Sequence, residues 1–473
     1  MPENIAIMWF RQDLRLNHNP ALTAACKAAN VLPIYILDDD TAGRHRMGAA
    51  SRWWLHHSLK ALDVSLGNAL SIYCGDATTI IIDLCQRFNV DAVYWNRCYE
   101  PHHISQSKYL KQQLFSQGVK ASSINGSLLN EPWSVLKKDG SPYKVFTPYH
   151  REASKIESPV TVLPAPKLPT PLMIDPQATS LDILSLLPEI NWDADFYKCW
   201  TPGEAGASSA LNTFLSNGIS DYRDGRDIPA LKAISRLSPH LHFGDISPQQ
   251  IISTLLTVAD DQNSEHFKRE IRWREFSYYL LFHFPSLPEK NFKATFDQFP
   301  WENNPTWLVK WQQGLTGYPL VDAGMRELWQ TGSMHNRVRM VTASFLIKNL
   351  LIDWRLGAQW FWDCLVDADL ASNSASWQWV AGSGTDASPY FRVFNPIIQG
   401  EKFDPHGDYT RRYLPELSTL PDKYLFKPWE APAAILEQAN ITLGETYPLP
   451  MVQIKESRQR ALEAYSITKV LKP

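Results

Sequence analysis

Three stretches of the chain set a carboxylate, an amide or a guanidinium beside large aromatic rings at helical spacing. In REIRWREF, Glu270, Trp273 and Arg274 fall at i, i+3 and i+4 and share a face. In MHNRVRMVTASF, Asn336, Arg337 and Met340 do the same, while Arg339 points elsewhere. In DADLASNSASWQWV, Asn373 and Trp377 are one turn apart and Trp379 lies on a different face. Taken singly, each is equally well a surface ion pair, a core tryptophan or a cap; together they read as the wall of a ligand cavity. Upstream, Tyr222, Arg223 and Arg226 precede the run Ser235-Arg236-Leu237-Ser238. Hydroxyls and backbone N–H groups entering a helix suit a diphosphate, with Arg236 as counter-charge, although Ser235 or Ser238 serves equally as a plain N-cap.

Such groups need rigid elements to hold them. The first part of the chain alternates buried apolar runs, IAIMWF (5–10), VLPIYIL (31–37), LSIYCG (70–75) and DAVYWN (91–96), with helical patterns such as ALTAACKAA and SRWWLHHSLKALDVSL. That order predicts an α/β domain with a Rossmann-like parallel sheet over residues 1–130. Trp9, Phe10 and Arg11 stand where a dinucleotide fingerprint would need glycines, so the usual Rossmann site is not expected there. Residues 131–202 include Pro159, Pro164, Pro166, Pro169 and Pro171 and read as an extended interdomain linker. Residues 203–473 read as an all-α domain, with long helices over EHFKREIRWREFSYYLLF, NRVRMVTASFLIKNLLIDW and IKESRQRALEAY.

Composition narrows the class. With 44% hydrophobic and 20% charged residues the chain is a soluble globular type, and no window reaches the apolar length of a membrane helix. The six cysteines show no metal-ligand or disulfide spacing, so no metal is expected; reduced thiols and a cytoplasmic location fit. The net charge of -3 means that any nucleic-acid binding must come from a local basic patch. Eighteen tryptophans fill a core or stack on planar ligands.

Several motifs carry a resemblance. TGYPLVDAGMREL (316–328), NRVRMVTASFLIKNLLIDWR (336–355), WFRQDLRL (9–16), RWREF (272–276) and WQWVAGSGTDASPYFRVFNP (377–396) resemble the class I cyclobutane-pyrimidine-dimer photolyases of the photolyase/cryptochrome family over essentially the whole chain. The resemblance implies a helical FAD-binding domain and light-driven repair of thymine dimers in DNA, with electron transfer from excited FADH⁻ to the flipped-out dimer. By motif match, Tyr222, Ser235, Arg236, Leu237 and Ser238 would hold the phosphates and ribityl chain. Asn336, Arg339, Asp367, Asp369, Phe267 and Glu270 would complete the flavin pocket, and Asn373 would face N5. A neutral amide there avoids the like-charge repulsion that Asp would impose on the anionic reduced flavin. Glu270, Trp273, Met340 and Trp379 would build the dimer pocket, with Glu270, Asn373 and Met340 at the reacting groups and Glu270 donating to a thymine carbonyl. Extruding a damaged, unpaired base costs less than flipping a normal one. Arg226, Arg337, Arg392 and Lys402 would grip DNA phosphates. Trp377, Trp354 and Trp301 match a tryptophan chain that carries electrons to oxidised flavin; core packing is the alternative.

The resemblance also weighs the alternatives. A (6-4) photolyase would carry histidines where Asn336, Arg337 and Met340 stand, and a blue-light receptor would be expected to have a long C-terminal extension. A monomer without membrane attachment is expected. Asn349 occupies a position where relatives often have an Asp facing Arg339. Glu100, with His45 as a further contact, points to a methenyltetrahydrofolate antenna, with a deazaflavin or an empty site as alternatives.

Overall fold

Residues 5–10 alternate faces with the strict period of two that a doubly covered strand requires. The computed structural model, which describes residues 4–156, 161–258 and 261–470, puts Ala6, Met8 and Phe10 in one apolar cluster and Ile7 and Trp9 in another. Strands β1 (Ile5–Phe10), β2 (Asn30–Leu37), β3 (Ser71–Cys74), β4 (Ala92–Asn96) and β5 (Lys120–Ile124) form one parallel sheet in the order β3-β2-β1-β4-β5. Helices α1 (Pro20–Ala28) and α2 (Ala49–Ser65) supply the first cluster, and α3 (Ala77–Phe88) and α4 (Pro101–Ser116) supply the second. The four expected strands are present. β5 was not anticipated, because KASSI has too little apolar character to read as a strand and pairs only along its β4 edge.

The chain divides into two compact units interleaved in sequence: residues 1–220, 235–285 and 366–371 form one, and 221–234, 286–365 and 372–473 the other. In the first unit the segment between the sheet and residue 203 is more than a connector. It carries the helix α5 (Phe146–Lys155) and buries Leu184, Leu186, Phe196 and Trp200 in the core of the sheet. Its proline-rich run is extended, anchored by the His18 N–H donating to Leu163 O at 2.9 Å and the Met173 N–H donating to Val31 O at 3.0 Å. Pro159 lies outside the described residues.

Two buried groups bind helices to the sheet within this unit. Arg15, 1% exposed, donates to the carbonyls of His18 (2.9 Å), Gly126 (2.6 Å) and Gly244 (2.8 Å), which gives the WFRQDLRL motif a structural task. Gly244 has φ +71, and a Cβ there would sit 2.1 Å from Gln12 O, so the close approach needs glycine. Asp245 is fully buried and accepts from Trp54 Nε1, Ser58 Oγ and the Gly203 N–H, with His240 Nδ1 at 2.8 Å. It thereby fixes α6 (Ser238–Phe243) against α2. The long helix α7 (Gln262–His283) is seated by Glu275, which accepts the Leu129 and Asn130 N–H groups and an Arg272 N–H, while Arg274 donates to Ser127 O and Leu241 O.

In the second unit, Asp322 is fully buried on α8 (Pro319–Thr331) and accepts from the Thr316 N–H and hydroxyl, the Gly317 N–H and Tyr447 Oη. A Cβ on Gly324 would lie 2.4 Å from Val338 Cγ1, so this glycine sets how closely α9 (Asn336–Ser344) packs on α8. The long helix expected over residues 336–354 is broken. α9 ends at Ser344, Phe345–Asn349 form a π turn, Leu351 has φ +53, and α10 (Trp354–Cys364) starts anew behind an Asp353 cap. Apolar spacing ran through the break without marking it, because every residue from Phe345 to Ile352 is buried whichever way the backbone turns. Among the described residues no helix is long and apolar enough to cross a membrane.

Asp245→Ala would strand four buried partners at once, and the expected loss is about 3 kcal/mol or more. Guanidinium denaturation of the flavin-free protein checks this: the midpoint should fall clearly, and an unchanged midpoint would mean that water replaces the carboxylate without cost.

Candidate flavin and DNA site

In the first unit, the Ser235–Ser238 loop leads into α6 behind Arg236, which sits at φ +56 with its guanidinium 4.1 Å over the Trp200 ring. Leu237 is buried and anchors the loop, while the Arg236 and Ser238 side chains remain exposed. Ser238 Oγ donates to Asp367 Oδ2 at 2.6 Å. Asp369 is 6% exposed, accepts from Tyr278 Oη and lies 3.4 Å from His242 Nδ1. Burial pushes its carboxyl up, but His242, Arg274 and Tyr278 outweigh this and hold it below the usual carboxylate range. This stretch sets a guanidinium and hydroxyls, which suit phosphate oxygens, beside carboxylates, which can accept from sugar hydroxyls. Phe267, 3% exposed, packs at 4.6 Å on Phe214 and serves the core of the same helix face.

Glu270 and Trp273 stand half-buried on α7. One face of Trp273 is covered: its ring lies 3.7 Å from that of Phe146 at 9°, so α5, within the stretch read as linker, supports the tryptophan. Phe146 was missed; only its spacing to Tyr149 and Ala153 on one apolar face could have flagged it.

In the second unit, α9 exposes Asn336 and half-exposes Arg337, Arg339 and Met340, while Val338, Val341 and Thr342 are buried. Arg337 Nη2 pairs with Asp227 Oδ2 at 2.5 Å and lies 4.4 Å over the Phe403 ring. Arg339 Nε donates to Met334 O at 2.7 Å. Asn349, fully buried, donates through its side-chain amide to Ser457 Oγ at 2.9 Å, and its main-chain carbonyl accepts from Arg460. Tyr222 is buried beneath the Arg226 guanidinium, 5.3 Å from its ring. Arg392 and Lys402 are exposed, as cations that meet phosphates need to be. Asn373 and Trp379 are half-buried on α11 (Leu370–Ala381), and Asn373 Nδ2 donates to Ala358 O at 3.1 Å.

Trp377 and Trp354 are buried at 3% and 1%, and Trp301 is half-buried. One loop positions the first two. Gln378, next to Trp377, donates to Leu287 O and Lys290 O and accepts the Phe292 N–H, and Asn291 of that loop accepts from Trp354 Nε1 at 3.0 Å. Gly357 lets Trp377 reach this position, since a Cβ there would fall 2.2 Å from its Cη2. Trp301 lies 4.3 Å from Phe299.

Glu100 caps α4 just beyond β4, and Arg11 and Gln12 follow β1. These are neighbouring strands from which the connections run to opposite sides, the place where open α/β sheets bind ligands. Glu100 is 3% exposed; its Oε1 accepts from Gln12 Nε2 at 2.7 Å and its Oε2 has no partner. The His103 Nδ1 nearby is likewise buried and unpartnered. Such orphaned acceptors fit a heterocycle bearing N–H donors. His45 is half-buried in a short turn, Gly43–His45. Although the cysteine spacing predicts no metal, the fold brings Cys98, Glu100 and His103 within 4.8 Å of one another. Burial pushes the Cys98 thiol up to about 12 and holds the His103 imidazole well below its usual value.

Residues 6–171 match the family model for DNA photolyase, and residues 267–467 that for the FAD binding domain of DNA photolyase. A deoxyribodipyrimidine photo-lyase of Agrobacterium fabrum is 50% identical, over 98% of each chain. Cryptochrome-2 of Arabidopsis thaliana is 36% identical over 98% of this chain and 79% of its own length. A bacterial class III photolyase from Agrobacterium tumefaciens superposes with a TM-score of 0.96 at 48% identity, covering 100% of this chain and 99% of that one. The class I placement expected from the motifs finds no support in these likenesses, since this solved relative is class III. Likeness at this identity over the full length leaves one conclusion: the chain belongs to the DNA photolyase/cryptochrome family.

Proposed function

We propose that this deoxyribodipyrimidine photo-lyase is of the class III type and acts as a monomer on cyclobutane pyrimidine dimers in DNA, in light, with FAD as its cofactor. The observation that carries the reading is where the candidate residues stand. On helices with many buried residues, Glu270, Trp273, Met340, Asn373 and Trp379 are half-buried and Asn336 is exposed, with Arg274, Arg337 and Arg339 half-buried beside them. The first six are the residues that the family motifs assign to flavin and lesion.

When bound, the flavin supplies the light-driven electron. The chain's own part is to bind, orient and keep out water. Ser235, Ser238 and Arg236 hold phosphate oxygens, with Asp367 and Asp369 orienting the hydroxyl donors beside them. Asn336 and Arg339 meet ring heteroatoms, and Asn373 offers a neutral amide, so that it donates or accepts as the ring's protonation requires. Trp273, stiffened from behind by Phe146, and Trp379 give the extruded pyrimidines apolar faces. Met340 fills the gap between polar contacts, and Glu270 hydrogen-bonds the pyrimidine edge. Arg226, Arg337, Arg392 and Lys402 act as the local basic patch that a chain of net charge -3 needs. Trp301, Trp354 and Trp377 relay an electron inward when the flavin is oxidised. Glu100 and His45 hold an antenna, with a methenyl-folate as the first choice and a deazaflavin as the alternative.

The decisive experiment follows loss of a single thymine dimer in an oligonucleotide, in blue light and in darkness. Loss in light alone is expected; flavin binding without repair in either condition would transfer the chain to the receptor side of the family. Glu270→Ala should cut repair about 100-fold or less while leaving flavin bound, the scale of one lost oriented hydrogen bond. Trp377→Phe should stop photoreduction of oxidised flavin yet spare repair by chemically reduced protein, and retained photoreduction would return Trp377 to a packing role. For the basic patch, replacing Arg392 or Lys402 with Gln should reduce the slope of log affinity against log salt by about 1 each, equally for damaged and undamaged DNA. A base- or lesion-selective loss would contradict that assignment.

A further inference from the structure

Away from the residues assigned above, the second unit contains a cavity of about 320 Å³ between the loop at 293–296, the segment 382–390 and the C-terminal helix α12 (Ile454–Val470). That volume lies at the lower end of small-molecule sites. Its charged groups are Lys293 and Lys469, both exposed, and among the described residues no carboxylate lines it. Lys293 Nζ donates to Gly382 O at 3.1 Å, which leaves it further donors, and Lys469 Nζ sits 4.7 Å from the Tyr465 ring. One wall is aromatic: Tyr390 and Tyr465 stack at 4.5 Å and 21°, with Phe296 5.9 Å from each. Two lining residues, Tyr390 and Ser388, are only 2% and 5% exposed, and each holds a buried hydroxyl with no partner. Buried hydroxyls are rarely left so unless something else completes them. Behind the wall, Lys348 Nζ lies 5.2 Å from the Tyr390 ring and donates to Arg392 O at 2.9 Å.

We propose that this cavity binds a small phosphorylated ligand carrying a planar ring, of the size of a nucleoside monophosphate. Lysine favours this class: ammonium groups meet phosphate as compact point charges, whereas planar carboxylates are better matched by the arginine fork. Two ammonium groups offer more N–H donors than one carboxylate accepts and match the three free oxygens of a phosphoryl group. The aromatic wall takes the ring.

The test is calorimetric titration of the FAD-loaded protein with adenosine monophosphate, inorganic phosphate and adenosine. Adenosine monophosphate should bind most tightly, and Lys293→Gln and Lys469→Gln should each weaken it about tenfold. Both variants should keep the flavin absorbance and melting temperature of the parent, which separates lost binding from lost folding. Adenosine binding as well as its monophosphate, or a double lysine variant with unchanged affinity, would overturn the proposal. So would displacement by an undamaged oligonucleotide at equal phosphate concentration, which would assign the cavity to the DNA backbone.

Discussion

A buried carboxylate is tolerated only if donors surround it, and Asp245 meets that demand with partners from three separate stretches of chain. Trp54 and Ser58 belong to a helix on the sheet, Gly203 ends the connecting segment, and His240 lies in the turn of helix that follows Ser238. The position of the Ser235–Ser238 loop is therefore set in part by a carboxylate buried in the protein's own core. Arg15 does the converse with a buried guanidinium and three carbonyls, and its burial is severe enough to bring it down to about 10. The two together explain why this part of the helical sequence packs with the α/β sheet in one unit.

The same logic recurs in the second unit. Asp322 closes the turn before α8, Gly324 admits α9, and α9 then presents Asn336 and Met340 from a buried scaffold. The family's motifs are thus largely scaffolding. WFRQDLRL, RWREF and TGYPLVDAGM hold the shape, and comparatively few of their residues face outward. This division accounts for the tryptophan content: Trp53, Trp54, Trp95, Trp311 and Trp354 are among the largest fully buried side chains, whatever further task Trp354 has.

How much of this was legible follows from what side-chain periodicity encodes. The four apolar strands and the helical character after residue 203 were legible because burial on both faces, or on one helical stripe, leaves a pattern in sequence. β5 was not, since an edge strand can be polar. The break after Ser344 was not, since a fully buried turn is as apolar as a fully buried helix. The candidate site residues rest on motif likeness, and periodicity added only which of them share faces. The supports escaped: Phe146 behind Trp273, Asn291 on Trp354 and His103 beside Glu100 are distant in sequence from what they touch, or carry no pattern of their own. The linker reading erred in kind for its apolar residues, because prolines report local backbone and say nothing of what the side chains bury against.

The interleaving of the two units has a consequence for how the molecule comes into being. The polypeptide passes from one unit to the other five times, and the last piece of the sheet-containing unit is residues 366–371. During synthesis that unit cannot close until most of the chain has left the ribosome, so its carboxylates Asp245 and Glu275 find partners early while Ser238 and Tyr278 wait for Asp367 and Asp369. Neither unit corresponds to a continuous stretch that recombination could move into another gene. Neither can therefore be transplanted by joining a single segment, and the likeness to the Agrobacterium fabrum photo-lyase does run through 98% of both chains.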